Sequence, residues 1–331
     1  MDRRADLSPP RSVLLDLDGP VHVADYGADH GADPGRPTVV CVHGLGNSHV
    51  SWREMARALG HAYRVLAVDL PGHGRSPRAG RSVGVDAAQG ILDRVIAGLT
   101  AGPITLVGHS MGATVAMVQA ARRPGSVSAL ALLAPPMPRR PGERMTLALA
   151  ARVALCTWPW LARTTLGIQA RRLGAEEFVR RRLALTCASD DGVDDMLRQS
   201  LVDQVQADRA GEAHAAFVEA ARSVGWLVAR SSDYQAVIGA VHAPTLVVHG
   251  AQDRILSHHG LGQLARVQPR WLTEVLEDVG HSPHMEAPRR TAQLLDDFLS
   301  GRGRGAASSI VRLRRELGSS VPSVRREVSP R

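Results

Sequence analysis

The stretch Ile104-Thr-Leu-Val-Gly-His-Ser-Met-Gly-Ala113 decides the fold, because it reads as a strand, a tight turn and a helix in immediate succession. The residues before Gly108 are apolar and partly β-branched, and small or apolar residues recur at helical spacing after Gly112. Gly108 and Gly112 stand two positions before and two positions after Ser110, where a larger side chain would collide with the backbone of a tight turn. The pattern predicts that Ser110 is presented at the end of a buried strand, beside the start of a helix.

A serine in this position is a candidate nucleophile. The helix that follows it offers unpaired backbone N–H groups and a positive dipole end. An oxyanion that formed beside Ser110 would be stabilised by the backbone N–H of Met111. An ordinary strand–helix turn is the alternative interpretation, and the legible strand and helix on either side favour the nucleophile.

The composition is that of a globular chain with a sizeable core. The 331 residues suffice for one large or two modest domains, and 44% of them are hydrophobic. A net charge of +8 would suit a nucleic-acid partner, but only 3% of the residues are aromatic. All the basic residues are arginines, and they are scattered along the chain. We therefore expect no nucleic-acid partner.

The cysteines and the apolar runs bear on location. Three widely spaced cysteines form no C-x-x-C pair, which favours free thiols in a reducing cytoplasm: Cys41, Cys156 and Cys187. The first residues lead to no apolar signal sequence. The longest apolar run, 145–162, contains Arg152 and Pro159 and makes a poor transmembrane helix. We expect a cytoplasmic protein without stable membrane insertion, and the sequence leaves its oligomeric state open.

Strands and helices alternate along most of the chain. After a flexible leader at 1–12, the turn Asp18-Gly-Pro20 joins two short strands and predicts a hairpin. The alternation that follows predicts an α/β fold with a doubly wound, mostly parallel sheet. The predicted strands are 13–17, 21–24, 38–42, 63–68, 103–107, 127–133, 244–249 and 272–276, and the predicted helices between them include 50–60, 83–99 and 286–299.

The alternation of strands and helices stops in residues 137–243, which contain no strand-like run. An all-helical insertion in an α/β chain predicts a cap over a core formed by 13–136 and 244–300. The apolar run in the cap carries Trp158 and Trp160, which we expect to line a substrate pocket. The Arg-rich segment 301–331 predicts a disordered tail. The helices predicted in the insertion are 143–157, 160–172, 175–187, 192–207 and 211–229.

A serine at its ordinary pKa is a weak nucleophile, so it needs a base, and the base needs a carboxylate to orient it. Both should follow strands of the sheet, because the loops at the carboxyl ends of parallel strands converge on one crevice. Asp253 follows one predicted strand, and His281 follows the last. His284 is an alternative base. Asp278 is nearer to His281 in sequence, but it precedes the turn and is expected to be a surface charge.

Five segments, in this order, resemble those of the serine-dependent α/β-hydrolase family, in particular its lidded esterase and lipase branch: His43-Gly-Leu-Gly46, Asp69-Leu-Pro-Gly-His-Gly-Arg-Ser76, Gly108-His-Ser-Met-Gly112, Gly250-Ala-Gln-Asp253 and Gly280-His-Ser-Pro-His284. The resemblance covers about residues 13–300, and the order Ser, Asp, His is the one that family requires. It implies that Ser110 is the nucleophile, His281 the general base and acid, and Asp253 its orienting carboxylate. It also implies that the N–H groups of Leu45 and Met111 form an oxyanion hole.

The activity that this resemblance implies is cleavage of a carboxylic ester of a small lipophilic substrate through an acyl-enzyme, without a cofactor. A carbon–carbon bond hydrolase or a cofactor-free perhydrolase on the same three residues is an alternative. Relatives that cleave carbon–carbon bonds usually carry asparagine where this chain has His109. A fold that binds a lipophilic ligand without turnover is a third possibility, against which the three residues together argue.

Two patterns in the sequence resemble binding motifs but lack residues that those motifs require. The pair His258-His259 suggests metal ligands, but no Asp, Glu or Cys follows at ligand spacing, so no metal is expected. The glycines of 44–46 suggest a dinucleotide fingerprint, whose third glycine would fall at His49. We therefore expect neither a metal nor a dinucleotide cofactor.

Overall fold

A computed structural model of the chain describes residues 9–27, 36–138, 168–169, 172–208 and 212–302, without the side chain of His259. Its strands are β1 (Arg11–Asp16), β2 (Pro20–Asp25), β3 (Thr38–Val42), β4 (Arg64–Val68), β5 (Ile104–His109), β6 (Val127–Leu133), β7 (Thr245–Gly250) and β8 (Leu272–Leu276).

Within the described residues these eight strands form one sheet, in the order β1-β2-β4-β3-β5-β6-β7-β8. The pairs β1–β2 and β2–β4 are antiparallel, and every pair from β4 across to β8 is parallel. The predicted fold class is therefore confirmed. Because the strands that precede the site run parallel, their carboxyl ends meet at one edge of the sheet.

The described α-helices are α1 (Arg53–Leu59), α2 (Val85–Leu99), α3 (Met111–Arg122), α4 (Ala175–Thr186), α5 (Asp195–Ala207), α6 (Glu212–Ala229), α7 (Ser231–Gly239), α8 (Leu261–Val267), α9 (Pro283–Glu286) and α10 (Pro288–Leu299). Four of them, α4 to α7, lie in the chain between β6 and β7, in the segment predicted to be helical. None of the helices described here combines the length and the hydropathy that a membrane span requires.

Alternate residues of the central strands supply two cores, one on each face of the sheet. Val40 and Leu106 are buried in the core that contains residues of α2 and α3. Their neighbours Val39 and Val107 point the other way and are buried with residues of α1 and α10. This period of two, with apolar residues on both faces, is what a sheet covered by helices on both sides demands.

Helices α4 and α5 form a separate small hydrophobic core with a residue of α9, in the segment that follows His281. Leu183 of α4 and Leu201 of α5 are buried together with Met285 of α9. The first two described α-helices of the insertion thus pack on the segment that follows His281. Of the helices predicted at 143–157 and 160–172, almost all residues lie outside the described part.

The first strand begins earlier than the sequence predicted. Arg11 and Ser12 were assigned to the leader, but both belong to β1, which pairs with β2 from Arg11 to Asp16. The physical reason is an ion pair: Arg11 lies opposite Asp25, and its Nη2 is 3.2 Å from the carboxylate Oδ2. Residues 1–8 of the leader lie outside the described residues.

Two predicted helices have different boundaries in the structure, and two further helices were not predicted. The last helix, predicted as 286–299, is divided at Ala287, which has an extended φ of −134° and precedes Pro288. A residue before proline avoids the helical region, so the break follows from that dipeptide. Helix α7 was missed, and so was the short helix α8. The segment predicted as helix 50–60 begins with a 3-10 turn at His49–Trp52 and continues as α1.

Gly112, in the first turn of α3, lies very close to the backbone at the end of β3. A Cβ at this position would collide with the carbonyl oxygens of Val42 and His43 at the end of β3. A Cβ at Gly108 would lie 2.6 Å from the Cα of Ala113. Both glycines of the turn are therefore required by contact between backbones, as the sequence pattern predicted.

We predict that Gly112→Ala lowers the free energy of unfolding by about 1–3 kcal/mol or more, because α3 must move away from β3. Gly90→Ala is the matched control, since Gly90 also lies inside a helix and has no atom within 4 Å of its ideal Cβ. That substitution should stabilise the protein by about 0.5–1 kcal/mol. Urea unfolding measures both, and a Gly112→Ala protein as stable as wild type would contradict the packing described here.

Candidate active site

Ser110 lies on the sharp turn between β5 and α3. Its backbone has φ 52° and ψ −114°, a region that residues with a side chain seldom adopt. The turn is held by the N–H of Ser110, which donates to the carbonyl of Leu133 at 2.9 Å, and by the contact of Gly112 with β3. A conformation of this kind costs on the order of 1–3 kcal/mol and persists only when the surroundings enforce it.

His281 follows β8 and reaches the serine across the edge of the sheet. Its Nε2 lies 3.0 Å from Ser110 Oγ, and its Nδ1 lies 2.7 Å from Asp253 Oδ2. These distances fit one tautomer, in which Nδ1–H donates to the carboxylate and the serine hydroxyl donates to Nε2. The structure thus brings together the three residues that the sequence singled out, although 171 positions separate His281 from Ser110.

Asp253 is bound on both of its carboxylate oxygens. Oδ1 accepts from the backbone N–H groups of Ile255 at 2.7 Å and Leu256 at 2.9 Å. Oδ2 accepts from His281 and lies 3.1 Å from Nε2 of His249. Burial by itself would raise the pKa of Asp253, but these hydrogen bonds outweigh it and hold the pKa well below its usual value. The carboxylate is therefore ionised at neutral pH.

The loop after β3 passes directly over the serine. A Cβ on Gly44 would lie 3.2 Å from Ser110 Cβ and 2.7 Å from Nδ1 of His109, so only glycine leaves room for this approach. Leu45 follows in the same loop, and Met111 is the first residue of α3, where backbone N–H groups have no partner inside the helix. The two predicted oxyanion donors thus lie in the two segments that flank Ser110.

Comparison with known proteins identifies the family. The family model described as the alpha/beta hydrolase fold matches residues 37–288, which is most of the chain. The chain belongs to the α/β-hydrolase family. The prediction of an α/β-hydrolase, made from five short segments, is confirmed.

Several relatives of this α/β-hydrolase are known by activity. It is 28% identical to the monoacylglycerol lipase ABHD6 of Bos taurus over 279 residues, which cover 80% of this chain and 76% of the relative. It is also 28% identical to the pimeloyl-[acyl-carrier protein] methyl ester esterase of Methylococcus capsulatus over 268 residues, 80% of this chain and 95% of the relative. The crystal structure of Cfl2 from Burkholderia cenocepacia superposes with a TM-score of 0.71 at 27% identity, covering 90% of this chain and 97% of that one.

The structure separates His281 from the alternative base. His284 is fully buried between Trp52 and His109, with ring centroids 4.3 and 4.4 Å away. Neither of its ring nitrogens has a hydrogen-bond partner in the described residues, and burial lowers its pKa to about 3. His284 is therefore a neutral packing residue beneath the site. Asp278, the alternative carboxylate, is exposed and pairs with Arg290 at 2.9 Å.

Two residues that position the site were not recognised in the sequence. His109 Nε2–H donates to the carbonyl of His281 at 2.8 Å, which fixes the backbone of that histidine. The N–H of His281 donates to the carbonyl of Thr186, at the end of α4, at 2.8 Å. His109 stands beside Ser110 in the sequence and offered a signal. Thr186 offered none, because its contact depends on how the helical insertion folds back.

The segment Asp69–Ser76 builds a second polar cluster, which supports the loop after β3. Asp69 Oδ2 lies 3.0 Å from Nδ1 of His22 and 2.7 Å from Nδ1 of His49, and Oδ1 accepts from the N–H of His49 at 2.7 Å. Among the described residues, these three side chains form the group whose potential ligand atoms lie close enough to one another to hold a metal ion. These distances are those of hydrogen bonds, so the Nδ1 atoms of His22 and His49 are paired with the carboxylate without an ion. Trp158 and Trp160, the predicted pocket residues, lie outside the described residues.

Proposed function

We propose that this α/β-hydrolase is a serine esterase that cleaves a carboxylic ester of a small lipophilic molecule through an acyl-enzyme. The observation that carries the proposal is the position of His281, within hydrogen-bond distance of both Ser110 Oγ and Asp253 Oδ2. The relatives support the choice of bond, because one is named a lipase and another a methyl ester esterase.

In the first half of the proposed reaction, Ser110 Oγ attacks the ester carbonyl carbon while its proton passes to His281 Nε2. The carbonyl oxygen becomes an oxyanion, which the N–H groups of Leu45 and Met111 would bind. The intermediate then collapses: the bond to the alcohol oxygen breaks, and His281 gives its proton to the departing alcohol. The acyl group is left on Ser110.

In the second half, water replaces the alcohol. His281 takes a proton from water, the resulting hydroxide attacks the acyl carbon, and a second oxyanion forms in the same place. Ser110 leaves with the proton from His281, and the acid is released. Asp253 stays ionised throughout, so it holds the Nδ1–H tautomer and stabilises the imidazolium that each half-reaction creates. Every step uses residues of this chain, so the proposed reaction requires no metal or organic cofactor.

The helical insertion completes the proposal as a cap. The carbonyl of Thr186 binds His281, and Phe217 of α6 lies against Gly46 in the loop over the serine, with a ring carbon 3.2 Å from an ideal Cβ there. Residues 137–243 would then enclose the acyl chain, with Trp158 and Trp160 as further contacts. The free, buried thiols of Cys41 and Cys187 fit the proposed cytoplasmic location.

Ester hydrolysis is favoured over the alternatives for two reasons. A ligand-binding protein gains nothing from the strained backbone of Ser110, whereas a nucleophile gains exposure from it. A carbon–carbon hydrolase would be expected to carry asparagine before the nucleophile, and His109 here serves instead to hold the carbonyl of His281.

We predict that Ser110→Ala folds normally and loses at least about 10³-fold in kcat/KM for p-nitrophenyl esters. A fluorophosphonate probe should label wild type at Ser110, because only an activated serine reacts at neutral pH. Across esters of increasing acyl length, kcat/KM should rise roughly fourfold per methylene while the pocket lasts, and then fall.

The control is Ser128→Ala, which removes an exposed hydroxyl from β6 and should keep wild-type activity and labelling. Absence of labelling together with absence of ester turnover in wild type would refute the proposed esterase. Labelling of a serine other than Ser110 would refute the assignment of the nucleophile.

We predict that Asp253→Asn keeps the fold and lowers kcat by about 10⁴-fold, because the amide favours the wrong tautomer of His281. Asp278→Asn removes a carboxylate from the same region, but one that is exposed and bound to Arg290. It should leave kcat within about twofold of wild type. The assignment of Asp253 is wrong if Asp278→Asn is the more damaging substitution.

A further inference from the structure

Arg182 is a cation near the site, and the reaction described above does not use it. It lies on α4 and is partly buried. In the part of the chain that the structure describes, its guanidinium has neither a carboxylate nor a hydrogen-bond acceptor. Its neighbours differ, because Arg180 and Arg181 are exposed and bind Glu177 at 2.6 and 2.7 Å. Of these three arginines on α4, two are exposed and have a carboxylate partner, and the third is partly buried and has no such partner among the described residues.

The guanidinium points to the loop that covers Ser110. Nη1 of Arg182 lies 3.5 Å from an ideal Cβ on Gly46, on the side where the Phe217 ring also contacts this loop. Gly44, in contact with Ser110 Cβ, precedes Gly46 by two residues. Two residues of chain span about 7 Å at most, so Arg182 lies within the length of a small substrate from the serine.

Among the residues that the structure describes, none next to Arg182 provides a compensating negative charge. Burial lowers the pKa of Arg182 to about 10, so it is still protonated at neutral pH. The nearby Cys187 is a neutral thiol, because burial raises its pKa to about 12. Burial also lowers the pKa of His73 to about 3, an effect to which the charge of Arg182 contributes. These two described neighbours of the partly buried guanidinium, Cys187 and His73, are therefore neutral.

We infer that Arg182 binds an anionic group of the substrate, a carboxylate or a phosphate that lies several bonds from the ester. This inference rests on the proposed esterase and narrows its substrate to an ester of an acidic amphiphile. A planar guanidinium presents two parallel N–H donors that match two oxygens of either anion. At a partly buried guanidinium this pairing is stronger than in open water, because the anion supplies a partner that the described residues do not.

Arg182 should bind the anionic group equally strongly in the ground state and in the transition state, because that group is remote from the reacting carbonyl. Arg182 should consequently act on KM and leave kcat nearly unchanged. A guanidinium that instead stabilised the oxyanion would lower kcat for every ester when removed. The two roles are therefore distinguishable by kinetics.

The test compares neutral and anionic esters of equal length in wild type and in Arg182→Gln. One arm uses methyl hexanoate, heptanoate and octanoate against monomethyl adipate, pimelate and suberate. A second arm uses 1-oleoylglycerol against 1-oleoylglycerol 3-phosphate. In at least one arm, Arg182→Gln should lose about 10- to 100-fold in kcat/KM for the anionic ester, through KM, and stay within about threefold for the neutral ester.

The matched control is Arg181→Gln, which removes the same charge from the exposed face of α4 and should change neither class of ester. The inference is overturned if wild type hydrolyses no anionic ester, if Arg182→Gln affects neutral and anionic esters alike, or if it affects neither. A melting temperature that falls together with both activities would assign Arg182 a structural role and overturn it as well. Fluorophosphonate labelling of wild type separates these results from a failure of the esterase proposal, which would abolish labelling.

Discussion

The contact between the backbone of Gly112 and the carbonyl oxygens at the end of β3 is the constraint on which the site depends. It draws α3 against the sheet, and the chain can make that approach only by passing through the strained conformation of Ser110. The strain places the hydroxyl at the edge where β5, β7 and β8 end. Asp253 and His281 follow two of these strands, so the same edge collects all three side chains without any of them being close in sequence.

Buried neutral histidines surround the one histidine that the proposed reaction requires to change its charge. Burial lowers the pKa of His43 and of His109 and holds the pKa of His284 at about 3. The ring of His109 packs beside His281 and the ring of His284 packs beside His109, and neither competes for the proton of His281. His43 supports the loop by accepting the N–H of Leu70 at 3.1 Å. Their role is to give the site rigid, uncharged walls, against which a single imidazolium forms next to Asp253.

The sequence predicted the sheet and the three central residues because both rest on local patterns: apolar runs with turns after them, and glycines around a serine. It placed Arg11 in the leader because the partner of that residue, Asp25, is reached only through the hairpin register. It missed Thr186 and Arg182 for the same reason, since their meaning comes from how α4 lies over the loop at Gly46. The spacing of residues along the chain carries no information about such contacts. Helical periodicity indicates only which residues of a helix face inward and which face outward.

The central proposal is that Ser110 carries the acyl group during turnover. The most direct measurement is an acid quench in the first turnovers of a p-nitrophenyl ester, where the good leaving group makes acylation fast and deacylation rate-limiting, followed by mass spectrometry of the intact and the digested protein. If Ser110 carries the acyl group, the protein gains the mass of one acyl group on the peptide that contains Ser110, together with a burst of p-nitrophenol. Turnover without an adduct, or an adduct on a different residue, would contradict this proposal.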